Sequence, residues 1–194
     1  FARLRAKYPR IKVLQRPGGR SFAGISTHDP AGNVFDLSKG VGKRRGVYEE
    51  GEWEQERHIN HLALRTVSPE NLAEFYAETL ELRALEKPPD DPNFYLTDGR
   101  VTFAIMPWDI TDYEGSGIER PALDHMGFQV ESVEAFKRDL DALVERDPSL
   151  APKRARKAPE GEARVRLFSK CPYGTFHLAD PDGVLIDVTD KLKV

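Results

Sequence analysis

Residues 58–66 read His-Ile-Asn-His-Leu-Ala-Leu-Arg-Thr, and residues 123–129 read Leu-Asp-His-Met-Gly-Phe-Gln. In both stretches a histidine is followed by apolar residues at every second position, which is typical of a strand that buries one face. A helical pattern follows each strand and opens with a serine, Ser68 or Ser132, whose hydroxyl can cap the first turn. The recurrence of a strand and a helix indicates a duplicated supersecondary unit.

A turn and the strand after it are also repeated. Residues 29–37 (Asp-Pro-Ala-Gly-Asn-Val-Phe-Asp-Leu) and 180–188 (Asp-Pro-Asp-Gly-Val-Leu-Ile-Asp-Val) share the form Asp-Pro-x-Gly, with an aspartate four residues after the glycine, Asp36 or Asp187. Aspartate and proline favour the start of such a turn, and glycine supplies the positive φ that it requires. The first copy follows a helix tail and lacks an opening strand, which predicts a truncated unit.

These repeats predict an α+β fold built of tandem strand–helix–three-strand (βαβββ) modules. We expect residues 1–45 to hold the C-terminal part of a truncated module and the start of a linker. Residues 46–57, which are charged and glycine-rich, are expected to be the linker itself. Residues 58–194 then form one complete domain of two modules, 58–120 and 121–194.

The composition excludes several classes of function. The chain has 194 residues, of which 39% are hydrophobic and 31% charged, and its net charge is -3. These values are typical of a soluble globular protein and provide no basic field for nucleic acid. No apolar run approaches the roughly 18–20 residues of a membrane helix, and no secretory signal pattern is present. The single cysteine, Cys171, fits a reducing compartment, so we expect a cytoplasmic protein that binds neither nucleic acid nor membranes.

Strand alternation predicts a polar face shared by the two modules. Successive strand side chains point to opposite faces, so His61 and His125 lie opposite the apolar residues of their strands. The same count places His177 and Asp187 opposite the apolar residues of the last two strands. Three of the chain's five histidines and a carboxylate therefore gather on one face.

The two histidine strands and the Asp-Pro-Asp-Gly turn, in this order and spacing, resemble the vicinal oxygen chelate superfamily of glyoxalases, bleomycin-resistance proteins and extradiol dioxygenases. The resemblance covers residues 58–190, and residues 1–37 resemble the later part of another module. It implies tandem βαβββ modules whose sheets form a cupped half-barrel around a site.

The resemblance also implies a set of metal ligands. In metal-dependent members of the superfamily, two ligands are histidines on the first strands of successive modules, which match His61 and His125. The third is usually a glutamate four residues past the turn glycine, and the matching residue is Asp187, whose side chain is one methylene shorter. Two histidines and a carboxylate imply a divalent metal, with Fe(II) as the first choice and Mn(II) or Zn(II) as alternatives.

One further histidine and several other side chains are candidates for the site. His177 lies on the predicted inner face, where extradiol dioxygenases carry a tyrosine, and an imidazole with a pKa near neutrality can act as a general acid or base. His58 is expected at the surface, one residue outside the alternating face. The side chains expected to line a substrate pocket are Tyr95, Thr102, Met106, Trp108, Gln129 and Thr175.

Two classes of function stay open at this point. The first is a metal-dependent enzyme, with extradiol cleavage of a catechol-type aromatic diol as first choice and a glyoxalase-like isomerase or lyase as alternative. The second is a metal-free, bleomycin-resistance-like binding protein, which the aspartate at 187 favours and the paired histidines disfavour. In either case the partner is a small molecule, and a cut edge near residue 1 favours a homodimer.

Overall fold

The structure is a computed structural model that describes residues 2–16, 24–38, 56–110, 121–152 and 175–191; most of the predicted linker lies outside these ranges. The helices are α1 (Ala2–Lys7), α2 (Pro69–Leu80) and α3 (Val133–Arg146), and a short 3-10 turn at Pro148–Leu150 follows α3. The strands are β1 (Val13–Gln15), β2 (Ile25–His28), β3 (Val34–Leu37), β4 (His58–Thr66), β5 (Arg83–Ala84), β6 (Phe94–Thr97), β7 (Thr102–Pro107), β8 (Leu123–Gln129), β9 (Phe176–Ala179) and β10 (Leu185–Thr189).

Two sheets carry these strands. β1, β2 and β3 form an antiparallel sheet, and the other seven strands form one mixed sheet in the order β5-β6-β7-β4-β8-β10-β9. In the larger sheet β4 pairs parallel with β7, and β8 pairs parallel with β10, while β4 and β8 pair antiparallel with each other. Each half therefore repeats the same arrangement of strands around its first strand. The predicted α+β fold of tandem modules is confirmed.

Helix α2 joins the large sheet to the N-terminal unit, which consists of α1 and β1–β3. The α2 residues Leu72, Phe75 and Tyr76 are buried in one core with residues of both units. Tyr8 of the N-terminal unit packs edge-on against Phe75 with ring centroids 5.1 Å apart, and Phe35 does so at 6.2 Å. No helix in the described ranges combines the length and the apolar character that crossing a membrane requires.

The two predicted serine caps differ. At α3 the Ser132 hydroxyl accepts the Ala135 N–H at 3.2 Å, which confirms that cap. At α2 the prediction was wrong, because the Ser68 side chain makes no capping hydrogen bond. The Ser68 N–H instead donates to the Thr66 hydroxyl at 3.2 Å, and Pro69 occupies the first helical position, where its missing N–H has no cost.

A buried carboxylate ties the N-terminal unit to α2. Asp29, which is fully buried, accepts the backbone N–H of Asn33 at 2.9 Å and the side-chain amide of Asn33 at 2.8 Å. The Tyr76 hydroxyl donates to the same carboxylate at 2.8 Å. Burial and the neighbouring Asp29 charge raise the pKa of Tyr76 far above its usual value, so the phenol stays a donor at neutral pH. The bond therefore links the two units inside the core.

We expect Tyr76→Phe to lower the free energy of unfolding by about 1.5–3 kcal/mol, because it removes a buried hydrogen bond to a charged group. Tyr8→Phe is the matched control: among the described residues the buried Tyr8 hydroxyl has no hydrogen-bond partner, so its loss should be neutral or stabilising. Urea unfolding followed by circular dichroism measures both variants. Equal losses of stability would contradict the role assigned to the Asp29–Tyr76 bond.

Candidate metal centre

Strand β4 contains a β-bulge immediately before its second histidine. Ile59 lies opposite Phe128 of β8, and His61 lies opposite Gly127, so Asn60 is an extra residue between the two pairs. A bulge re-aims side chains and can bring two successive ones toward the same side of a sheet. The Asn60 side-chain oxygen accordingly reaches the next residue and lies 2.5 Å from Nδ1 of the His61 ring.

Strand β8 has the same feature at the equivalent point. Ala63 of β4 lies opposite His125, and Leu64 lies opposite Leu123, so Asp124 is the extra residue. Its carboxylate accepts a hydrogen bond from Nδ1 of His125 at 2.7 Å. Each buried histidine is thus preceded by a bulged residue whose side-chain oxygen holds its ring.

His61, His125 and Asp187 converge near the middle of the large sheet, and all three are fully buried. The two Nε2 atoms are 3.1 Å apart, and Oδ2 of Asp187 lies 3.3 Å from Nε2 of His125 and 3.7 Å from Nε2 of His61. Ligands about 2.1 Å from a metal and roughly 90–110° apart are separated by about 3.0–3.4 Å. The three atoms therefore have the spacing of ligands on one face of a metal ion, with the Asp187–His61 separation slightly wide.

The hydrogen bonds around this group leave acceptors facing one another. An ionised Asp124 can only accept, so Nδ1 of His125 is the donor and a neutral ring turns its Nε2 lone pair to the centre. The oxygen of Asn60 holds His61 in the same way. Oδ2 of Asp187 has no hydrogen-bond partner among the described residues. A buried carboxylate oxygen that faces two imidazole lone pairs is unfavourable unless a cation lies between them. Two imidazole nitrogens and one carboxylate oxygen are ligands that suit a divalent metal.

Both aspartates of the centre are ionised at neutral pH. Burial alone would raise the pKa of Asp187, but its close contacts with the imidazoles of His125, His177 and His61 outweigh burial and hold that pKa far below its usual value. Burial also opposes ionisation of Asp124, and the hydrogen bond from His125 and the charge of Arg65 lower its pKa nonetheless. Nε of the buried Arg65 donates to Asp124 at 2.7 Å, so the Asp124 carboxylate lies between the Arg65 guanidinium and the candidate ligand His125.

Gly127 makes room for the His61 ring. It lies opposite His61 on one side and beside Asp187 of β10 on the other, so it sits between two candidate ligands. A Cβ atom placed on Gly127 would lie 1.9 Å from Cε1 and 2.0 Å from Nδ1 of the ring. Any side chain at this position would displace the imidazole.

His177 supports the candidate carboxylate ligand. It lies on β9 opposite Asp187, and its Nδ1 hydrogen-bonds Oδ1 of Asp187. Its side chain is 17% exposed, whereas that of Asp187 is fully buried, so His177 stands between the centre and the solvent. The structure thus places His177 beside the candidate metal centre, on the face that the sequence predicted. Its role as a general acid or base stays a prediction.

Three of the side chains expected to line a pocket lie next to the centre. Thr102 is beside His61 in the parallel pairing of β4 with β7. Tyr95 and Met106 are buried and pack in a small cluster with Ala63, the residue opposite His125. Their role in binding a substrate stays a prediction.

The remaining three lie farther out. Gln129 ends β8, Trp108 follows the last residue of β7, and Thr175 is exposed just before β9, where its hydroxyl donates to a backbone carbonyl of β10 at 3.1 Å. His58 differs from its predicted surface position. It is half-buried and lies opposite Gln129, because the bulge at Asn60 shifts the alternation by one residue.

Sequence reasoning missed three residues that shape the centre: Asn60, Asp124 and Gly127. The signal for the first two is present in the repeated strands, where each histidine directly follows a residue with a side-chain oxygen. Strict alternation assigns such neighbours to opposite faces, and only the bulges make them partners. Gly127 has no signal of its own, since its role depends on the ring across the strands.

The fold and the site together define a protein of paired modules that carries a candidate metal centre, made of two histidines and one carboxylate, between the modules. The chain belongs to the Glyoxalase/Bleomycin resistance protein/Dioxygenase superfamily, whose sequence model matches residues 58–188. The resemblance inferred from the histidine strands and the Asp-Pro-Asp-Gly turn is thereby confirmed. Among curated proteins, none matches the chain.

Solved structures with the same fold come from several bacteria. A Mn(II)-bound glyoxalase from Novosphingobium aromaticivorans is 19% identical with a TM-score of 0.56, and the match covers 96% of this chain and 56% of that one. The 2,3-dioxygenase LapB from Pseudomonas sp. KL28 is 18% identical with a TM-score of 0.54, covering 96% and 64%. An extradiol ring-cleaving dioxygenase from B. fuscum is 16% identical with a TM-score of 0.51, covering 96% and 50%. At these identities the likeness shows the fold, and this chain spans only part of each relative.

We expect Gly127→Ala to displace the His61 imidazole, to cost about 1–3 kcal/mol of folding free energy through overpacking, and to abolish metal-induced stabilisation. Gly24→Ala is the control, because the nearest atom to its new Cβ would be the Leu37 carbonyl oxygen at an ordinary 3.4 Å. Thermal unfolding with and without Mn(II) measures both effects. Unchanged metal stabilisation in Gly127→Ala would show that the His61 ring is not a ligand.

Proposed function

We propose that this chain holds a divalent metal through Nε2 of His61, Nε2 of His125 and Oδ2 of Asp187, and that it acts as a metal-dependent enzyme of the vicinal oxygen chelate type. One observation carries the proposal: three fully buried acceptor atoms lie 3.1–3.7 Å apart, and the carboxylate oxygen among them has no hydrogen-bond partner in the described ranges. A purely structural cluster would be expected to satisfy such an oxygen, because leaving it unpaired is costly.

Fe(II) is the first choice of metal, with Mn(II) and Zn(II) as alternatives. A divalent ion held by two histidines and one carboxylate keeps adjacent positions open and supplies Lewis-acid activation of two neighbouring substrate oxygens. The short side chain of Asp187 suffices here because β10 is the direct neighbour of β8, so the carboxylate already lies within 3.3 Å of His125 Nε2.

The chain's own residues orient the ligands and exclude water. Asp124 holds the His125 ring and Asn60 holds the His61 ring, so that both Nε2 atoms face the centre. His177 binds Oδ1 of Asp187, which leaves Oδ2 facing the centre. Complete burial of the three ligands keeps the local dielectric low, which strengthens every electrostatic interaction with a bound substrate. We further propose that His177 exchanges a proton with the substrate.

Ring cleavage of a catechol-type diol is the proposed reaction. Two of the relatives with this fold are named as ring-cleaving or 2,3-dioxygenases, and one is named as a Mn(II)-bound glyoxalase. A glyoxalase-like isomerisation uses the same chelation of vicinal oxygens and is therefore the second candidate. Anaerobic purification followed by elemental analysis tests the site: iron favours ring cleavage and zinc or nickel favours isomerisation. Manganese would support the metal centre without separating the two reactions, because the relative named as a glyoxalase is Mn(II)-bound. Absence of metal, with none taken up from added Fe(II), would overturn both in favour of a metal-free binding protein.

We expect Asp187→Asn to abolish metal binding while the metal-free variant stays as stable as, or more stable than, the metal-free wild type. The substitution keeps the Oδ1 acceptor for His177 and replaces the unpaired oxygen by an amide donor that can face the two Nε2 atoms. Metal content and melting temperature, each with and without Fe(II) or Mn(II), measure the two effects.

Asp36→Asn is the matched control, since Asp36 holds the equivalent place after the repeated turn in the N-terminal unit but is exposed. Metal should stabilise this variant as it does the wild type. A strongly destabilised metal-free Asp187→Asn, together with a wild type that metal does not stabilise, would mean that the group is a structural ion cluster and not a metal centre.

A further inference from the structure

The two bulged residues that hold the candidate histidine ligands differ in charge. Asn60 presents a neutral amide to Nδ1 of His61, whereas Asp124 presents a carboxylate to Nδ1 of His125. The two places are otherwise equivalent, since each histidine lies on the first strand of its module and directly follows a bulge. An amide oxygen holds one ring, so the carboxylate at the other ring needs a separate explanation.

Arg65 provides this explanation. Its Nε donates to Oδ2 of Asp124 at 2.7 Å, while Nδ1 of His125 donates to Oδ1 of the same carboxylate at 2.7 Å. The side chains of Arg65 and Asp124 are only 7% and 2% exposed, so both hydrogen bonds are shielded from bulk water. Asp124 thus accepts from two donors, one on each oxygen. Among the described residues no cationic side chain contacts Asn60, whose oxygen serves His61.

The position of Arg65 is fixed by contacts with three neighbouring strand ends. Arg65 lies on β4, and its backbone N–H donates to the Ala122 carbonyl, just before β8, at 2.8 Å. Its Nη1 lies 3.4 Å from the carbonyl oxygen of Pro107, the last residue of β7. A guanidinium carries only donors and is not deprotonated in proteins. Arg65 therefore requires an acceptor from residue 124 in every state of the protein.

We propose that Arg65 is a positioning residue, which fixes the tautomer of His125 through residue 124. Because Arg65 takes one acceptor atom of residue 124, a second acceptor is needed there for the Nδ1–H of His125. Aspartate has two acceptor oxygens, whereas asparagine has one oxygen and one donor NH₂ group. The inference rests on the proposed function in one respect, namely that the Nε2 lone pair of His125 binds the metal. The tautomer itself is a property of the metal-free protein.

In an Asp124→Asn variant the new amide would act differently from that of Asn60. Its oxygen would pair with Arg65, so its NH₂ group would face Nδ1 of His125. Nδ1 would then accept, and the ring proton would move to Nε2, which faces the centre. A protonated Nε2 has no lone pair for a metal ion. Removing Arg65 as well would release the amide oxygen for His125 and restore the arrangement found at Asn60.

The first test compares the wild type, Asp124→Asn and the double variant Arg65→Met/Asp124→Asn as metal-free proteins. Long-range nitrogen–proton NMR correlations of protein labelled on its histidine rings identify which nitrogen of His125 carries the proton. We expect Nδ1–H in the wild type, Nε2–H in Asp124→Asn and Nδ1–H again in the double variant. The control Arg138→Met/Asp124→Asn removes an exposed cation of α3 and should keep Nε2–H. A merely structural role of Arg65 would not let its loss repair the effect of Asp124→Asn.

The second test titrates Mn(II) into the same proteins by calorimetry. We expect Asp124→Asn to bind Mn(II) about 10- to 100-fold more weakly than the wild type, the usual effect of losing the outer partner of a histidine ligand. The double variant with Arg65→Met should bind at least about tenfold more tightly than Asp124→Asn, and the Arg138→Met control should not. A double variant with an Nδ1–H ring and no recovered affinity would show that the tautomer does not govern metal binding.

The NMR results decide the inference independently of metal. An Nε2–H ring of His125 in the wild type or in the double variant, or an Nδ1–H ring in Asp124→Asn, would overturn it. If Asp124→Asn does not fold, the double variant still decides, because it lacks both buried charges. An Nδ1–H ring there supports control by Arg65, and an Nε2–H ring shows that the carboxylate alone aims the ring. Tautomers as expected, with no Mn(II) bound by any protein, would support the inference and overturn the proposed metal-dependent function.

Discussion

The antiparallel pairing of β4 with β8, with one bulge in each strand, is the constraint on which the rest of the structure depends. These are the first strands of the two modules, and their contact unites two half-sheets into one. The bulges at Asn60 and Asp124 place a ring-holding oxygen directly beside each buried histidine. Without them, successive side chains would lie on opposite faces, and the two Nε2 atoms would lack the supports that aim them at each other.

The centre between these strands concentrates polar groups in a place where their desolvation is costly. Asp187 is ionised and fully buried, and its Oδ2 faces two imidazoles without a hydrogen-bond partner among the described residues. A fold tolerates such an arrangement when a ligand compensates for it, because a bound cation then contributes to the free energy of folding. The outer contacts of Asp124 with Arg65 and of Asp187 with His177 indicate that orientation is built into the protein before any ligand arrives.

The N-terminal unit shows how the same turn and pair of strands differ where the described residues place no histidine strand beside them. Ser26 and Asp36 lie opposite each other on β2 and β3, as His177 and Asp187 do on β9 and β10, and the serine hydroxyl likewise hydrogen-bonds the aspartate. Asp36 is exposed and has no histidine strand beside it in the described residues, whereas Asp187 is enclosed by β8. A repeated turn and strand therefore supply the carboxylate, and the neighbouring strand decides whether it becomes part of a buried centre.

The repeated strands and turns determined the α+β class and the tandem modules, because periodicity and turn chemistry are local properties that a sequence displays directly. Alternation also placed His61, His125 and Asp187 on one face, and the resemblance to the superfamily marked them as candidate ligands. The register between strands could not be derived in this way, since the position of a bulge depends on hydrogen bonding to a partner that is distant in the chain. For that reason only the tertiary structure revealed that Asn60 and Asp124 hold the rings, that Gly127 admits the His61 imidazole, and that His58 belongs to the inner face.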